Sequence, residues 1–281
     1  MTENEAPGMD VHIEVTLDER PAVSRGDVLA RWFRGAVDSF FPDPSAYAEA
    51  HVLVDHSFER GGEKFRTKGF EESWPSLEER LRRYPFYASV NFFVPVDHPY
   101  ETVGSFGRVT ASYLRSDGSY AALAVGLQAA ERTADPRLCA RIWDFLATAL
   151  DGSDPAFARV EHRDFHDTTH LEAALRRPRR KSLRESRTYL RGYSWVTGVP
   201  GEVAARLGGA SRLAATGAFH AVRELRGGGL LLQATETLAG YDDRAMREVF
   251  RALAPVLPPG IPQDDPAREH LRVVFEDASG V

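Results

Sequence analysis

The chain has 281 residues, 43% hydrophobic and 27% charged, which fits a folded protein of one or two domains and excludes a disordered one. Its formal charge of −6 at pH 7 argues against a surface that coats nucleic acid. A single cysteine, Cys139, excludes an internal disulfide and a multi-cysteine zinc module, and no apolar run approaches the roughly 20 residues of a membrane helix.

The acidic start lacks the basic-then-apolar pattern of a secretion signal, so a cytoplasmic protein without membrane association is expected. Val11, Ile13, Val15 and Leu17 alternate with polar residues and predict a strand. Ser24 can cap a helix whose one face carries Val28, Leu29, Trp32, Phe33, Ala36 and Val37. Residues 48–56 suit a second strand, Glu59 to Phe70 read as an exposed loop, and Ser76 opens a short helix bearing Leu77, Leu81 and Tyr84. The strand signal of 86–95 is strong, with Phe86, Ala88, Val90, Phe92 and Val94 on one face. A hairpin over 107–115 and 119–128 turns at Asp117-Gly118. Residues 135–150 read as a helix with Asp135 as N-cap and Pro136 in its first turn, and 156–165 as a strand.

From Arg176 to Arg191 eight basic residues face one acid, Glu185, which marks a linker. Beyond it come a strand over 193–199, helix over 200–216, a hairpin over 218–225 and 229–236, a helix over 242–257 and a last strand over 271–276. A shift of 107 residues superposes two hairpin-plus-helix units: Asp135 on Asp242, Arg137 on Arg244, Leu146 on Leu253 and Leu150 on Leu257. The same shift sets the strand at Tyr87 on the one at Ser194. The expected fold is α+β: two similar ferredoxin-like (split βαβ) half-domains, with antiparallel sheets and helices packed on one face. Their limits are 10–165 for the N-terminal half, 166–191 for a basic linker or helix, and 192–277 for the C-terminal half.

No phosphate-cradling glycine loop, nucleophile elbow or HExxH pair is present. Cys139 falls inside a helix and reads as a small core residue. His162, His166 and His170 are spaced by four, as metal ligands on one continuous helix would be, but a strand-to-helix break near Asp167 would scatter them. No metal is therefore assigned. Asp97 and His98 follow a strong strand and, with His162 and His166, form an alternative polar site for an enzyme or small-ligand binder using a cleft between the halves. The arginine run could be a solvated connector, a dock for an acidic protein surface, or a phosphate contact. Arg179, Arg180, Arg184 and Arg187 are its partner-binding candidates, and nucleic acid is not expected because stacking aromatics are few.

One stretch carries a resemblance. Trp195-Val196-Thr197, Leu207-Gly208-Gly209, the glycines Gly227 to Gly229 and the helix end from Leu253 to Pro258 lie within residues 192–260. This region resembles the C-terminal half of the immunity proteins of bacterial type VI secretion and polymorphic toxin systems. It covers about a quarter of the chain, and its motifs are structural rather than chemical. The resemblance implies a non-catalytic protein without cofactor that binds and neutralises a cognate bacterial toxin, as a monomer or homodimer. On that view an acidic surface steers it to a basic toxin.

Overall fold

The computed structural model describes residues 10–18, 25–43, 47, 49–57, 62–95, 103–113, 120–129, 132–162, 167–264 and 271–281. The strands are β1 (Val11–Leu17), β2 (Glu49–Asp55), β3 (Lys64–Lys68), β4 (Tyr87–Pro95), β5 (Val103–Tyr113), β6 (Ala121–Leu127), β7 (Phe157–His162), β8 (Val196–Val199), β9 (Ala221–Glu224) and β10 (Leu230–Gln233). The helices are α1 (Arg25–Phe40), α2 (Trp74–Arg82), α3 (Pro136–Ala149), α4 (His170–Ala174), α5 (Arg179–Arg184), α6 (Gly201–Arg206), α7 (Gly209–Ala215) and α8 (Asp243–Leu253).

All ten strands join one antiparallel sheet in the order β3-β2-β4-β5-β6-β1-β7-β8-β10-β9. The expectation of separate sheets is corrected at one place. β7 pairs with β1 on one side and with β8 on the other, through Ala158↔Gly198, Arg159↔Thr197 and Val160↔Val196. Gly198 permits this join, because a Cβ there would stand 2.5 Å from the Ala158 Cβ.

Binary patterning explains the N-terminal layers. On β2, Ala50, Val52 and Val54 are buried while the alternate residues are half-exposed. β4 buries Ala88, Val90 and Phe92 on the same side, and β6 Leu123 and Val125, although Ser89 and Gly126 are buried as well. These side chains meet the apolar faces of α1, α2 and α3, where Trp32 lies 4.8 Å from Phe145 between ring centroids. Each such Leu, Val or Phe stabilises the fold by roughly 1.5–3 kcal/mol through water exclusion. Asp135 accepts from the Arg137 amide and Asp242 from the Ala245 amide, so both helix starts carry the expected caps. In the C-terminal half every residue of β8 and β10 is buried, so both faces of those strands are covered.

Three further expectations are corrected. The loop assigned to 59–70 contains β3, which pairs with β2 through Lys68↔His51 and Lys64↔Asp55. Residues 271–275 do not form a strand; the Val274 amide instead donates to the Tyr193 hydroxyl at 2.8 Å. The strand at Tyr87 and the one at Ser194, which the 107-residue shift matched, differ in their neighbours: β4 lies between β2 and β5, and β8 between β7 and β10. The 107-residue shift superposes β10 on β6 and α8 on α3, but sets β9 on 114–117, beyond β5.

Candidate protein-docking face

The outward residues of the N-terminal strands form rows across the sheet. One row runs Lys68, His51, Asn91, Arg108, Gly126, His12 and Glu161. The next runs Arg66, Leu53, Ser89, Thr110, Ala124, Glu14 and Arg159. The third runs Lys64, Asp55, Tyr87, Ser112, Ala122, Thr16 and Phe157. Helices α1 to α3 lie against the opposite face, which buries Val52, Val90 and Val125.

Along β6 this outward face carries only Ala122, Ala124 and Gly126. The small residues make the floor of a trough of about 180 Å³. Arg108, Thr110 and Ser112 form one wall, His12 and Glu14 the other, and Asp167 also lines the trough. The walls stand two strand spacings apart, about 10 Å.

The β1 wall rests on a buried charge network. The Arg159 guanidinium donates to Glu14 Oε2 at 2.7 and 3.0 Å and to Glu161 Oε2 at 2.8 Å. Arg191 donates to Glu172 at 2.8 and 3.1 Å and to Thr16 Oγ1 at 2.9 Å. Glu172 also accepts from the Thr169 amide at 2.7 Å, completing a capping box at the start of α4. Burial pushes the Glu14 carboxyl up, but Arg159, His12 and Arg191 outweigh it and hold the group well below the usual carboxylate range. Glu14 is therefore an anion beside the trough.

At the edge of the sheet, β3 holds two of the three lysines of the chain, Lys64 and Lys68. Such charges blunt an exposed edge against pairing with another strand. Lys64 pairs with Asp55 at 3.3 Å and Lys68 with Glu49 at 2.8 Å.

No family model matches the chain, and no curated protein matches it. Its fold is similar to a solved structure. That structure is a type VI secretion system (T6SS) protein of Pseudomonas aeruginosa, PA0821, with a TM-score of 0.58 at 12% sequence identity, over 98% of this chain and 82% of that one. At this identity the likeness is one of architecture.

Arg179, Arg180 and Arg184, singled out in the sequence, share α5. Arg179 pairs with Asp167, a lining residue of the trough, at 2.7 Å. Arg180 and Arg184 are exposed on α5. Arg187 turns inward to Asp18, Asp154 and Glu202, and these acids outweigh its burial and raise its pKa. The basic segment is therefore not a solvated connector: Arg187 and Arg191 tie it to the sheet. His162 ends β7, while the buried His170 accepts the Arg272 amide on Nδ1 at 3.0 Å. Asp97, His98 and His166 lie outside the described residues. Among the described residues no three His, Cys, Asp or Glu side chains are arranged to hold a metal ion.

The trough residues were not predicted. The signal was present in Ala121-Ala122-Leu123-Ala124-Val125-Gly126-Leu127, where bulky and small residues alternate with period two. No helix among the described residues is long and apolar enough to cross a membrane.

Proposed function

We propose that this chain is a T6SS-associated, non-catalytic protein that binds a cognate bacterial toxin and neutralises it. One observation carries the reading: α1 to α3 cover one face of the N-terminal strands and the segment 167–191 covers β1 and β7 on the other, while β5 and β6 keep half-exposed polar and small residues there, Thr110, Ser112, Ala122 and Ala124. An antiparallel sheet solvated on one side offers a rigid platform whose backbone is already paired, so a partner can dock with little ordering cost. The resemblance of residues 192–260 to immunity proteins supports the same reading. So does the likeness in fold to a T6SS protein.

The two halves are also read as related split βαβ units. β1, α1, β5, β6, α3 and β7 take the order β7-β1-β6-β5, and β8, β9 and β10 take β8-β10-β9 with β7 beside β8. β7 then stands where a fourth strand of the C-terminal unit would be.

The test is a contact-dependent competition in the native host. A strain lacking this gene and its neighbouring toxin gene is mixed with its parent on a solid surface. Immunity predicts that the deleted strain is outcompeted, that a plasmid copy of this chain restores it, and that killing vanishes when the parent's secretion system is disabled. Equal survival with and without the plasmid copy would refute the function.

A further inference from the structure

The open sheet face has a charge pattern opposite to that of the whole chain. The acids of the strand rows and of the trough are paired with cations. Glu49 pairs with Lys68, Asp55 with Lys64, Glu14 and Glu161 with Arg159, and Asp167 with Arg179. Two arginines on the same face are different. Arg66 and Arg108 are exposed and make no ion pair or hydrogen bond among the described residues. By strand spacing they stand about 15 Å apart.

We infer that this face docks an acidic surface of the protein partner, with Arg108 as the anchor taking a partner carboxylate at the mouth of the trough. The inference rests on the toxin-binding reading and names its surface. Arg108 meets the chemical requirement: a planar guanidinium with five donors accepts a carboxylate in a two-point fork. Thr110 and Ser112 extend the same wall with hydroxyls. Ala122, Ala124 and Gly126 keep the floor low, so a partner side chain can enter beside Arg108 rather than stop at its tip. Arg66 widens the positive field toward the sheet edge, while the paired acids are neutralised and add little repulsion. Arginine anchors within a water-excluding patch carry much of the energy of many interfaces. The acidic charge of the chain therefore resides elsewhere and does not define the docking surface.

The competition above provides the test, with the deleted strain carrying plasmid copies of the full chain. The copies are wild type, Arg108→Glu, Ala124→Trp, and Arg244→Glu as a control on the exposed side of α8. Each purified protein is first melted, and its association state is measured by sedimentation. We expect Arg108→Glu and Ala124→Trp to melt like wild type and lower survival by about ten-fold or more, while Arg244→Glu protects fully. If Arg108→Glu and Ala124→Trp both protect as wild type does, the docking surface is refuted and the toxin-binding reading stands. A wild-type dimer that Arg108→Glu dissociates without loss of protection assigns the face to a second copy and also overturns the inference. If wild type itself fails to protect, both fall.

Discussion

Replacing Arg159 by methionine tests whether the charge network is a keystone of the sheet. Arg159 is fully buried and holds Glu14 and Glu161 through three short hydrogen bonds, with a fourth to the Thr168 carbonyl at 3.3 Å. Methionine keeps much of the side-chain bulk but takes the closest cation from two buried carboxylates, leaving Glu14 with Arg191 at 3.6 Å. Removing one partner of a buried ion pair costs about 3–5 kcal/mol. With an unfolding slope of about 3 kcal/mol per molar urea, the midpoint should fall by about 1–1.7 M. The triple variant Glu14→Gln, Arg159→Met, Glu161→Gln should regain most of that loss, because it leaves no lone charge. Urea unfolding followed by tryptophan fluorescence reads both. A shift under about 0.3 M for Arg159→Met would show that the carboxylates find other partners, and the keystone argument would fail.

The remaining predictions are independent of that one. The Glu14 carboxyl lies below its ordinary value of 4.5 in the folded protein, so its contribution is present above about pH 4.5 and is lost as pH falls toward the folded value. The gap in melting temperature between wild type and Glu14→Gln should therefore shrink between pH 7 and about pH 3; a constant gap contradicts the assignment. Gly227→Ala sets a Cβ 2.1 Å from the Ser153 carbonyl oxygen, which is backbone, so about 1–3 kcal/mol of stability should be lost on denaturant titration. Burial pushes the Cys139 thiol up, so alkylation should be slow in the native state and fast in urea. Equal alkylation rates would mean that α3 opens readily.

Sequence showed clearly those elements whose signals are local. The caps Asp135 and Asp242 and the alternation of 87–95 and 121–127 fix α3, α8, β4 and β6 within a few residues. β3 was hidden because Lys64-Phe65-Arg66-Thr67-Lys68 sits at an edge and carries charge where an inner strand carries aliphatics. Residues 271–276 resembled a strand because Val273 and Val274 are buried, yet their burial comes from packing and a side-chain bond, not from a ladder. The arginine segment misled for a different reason. Several of its partners are remote in sequence: Arg187 reaches Asp18, 169 positions away, and Arg191 reaches Thr16, 175 away. Composition counts charges and does not show who meets whom. Alternation likewise reveals that a strand has two faces but not which one a helix layer will cover, so Arg108 and Ala124 carried no mark of their place.

The place of β1 in the sheet has a consequence for biosynthesis. β1 occupies the middle of the sheet, and its partners β6 and β7 begin only at Ala121 and Phe157. A nascent chain must carry Val11, Ile13 and Val15 out of the ribosome and wait for more than a hundred further residues before either neighbour arrives. Loop closure of that length is slow compared with local hairpins. During that interval the segment is an unpaired apolar ribbon open to association with other chains. Translation products that stop short of Phe157 would keep one flank of β1 open for good, and would be cleared or clump rather than accumulate as a half-protein.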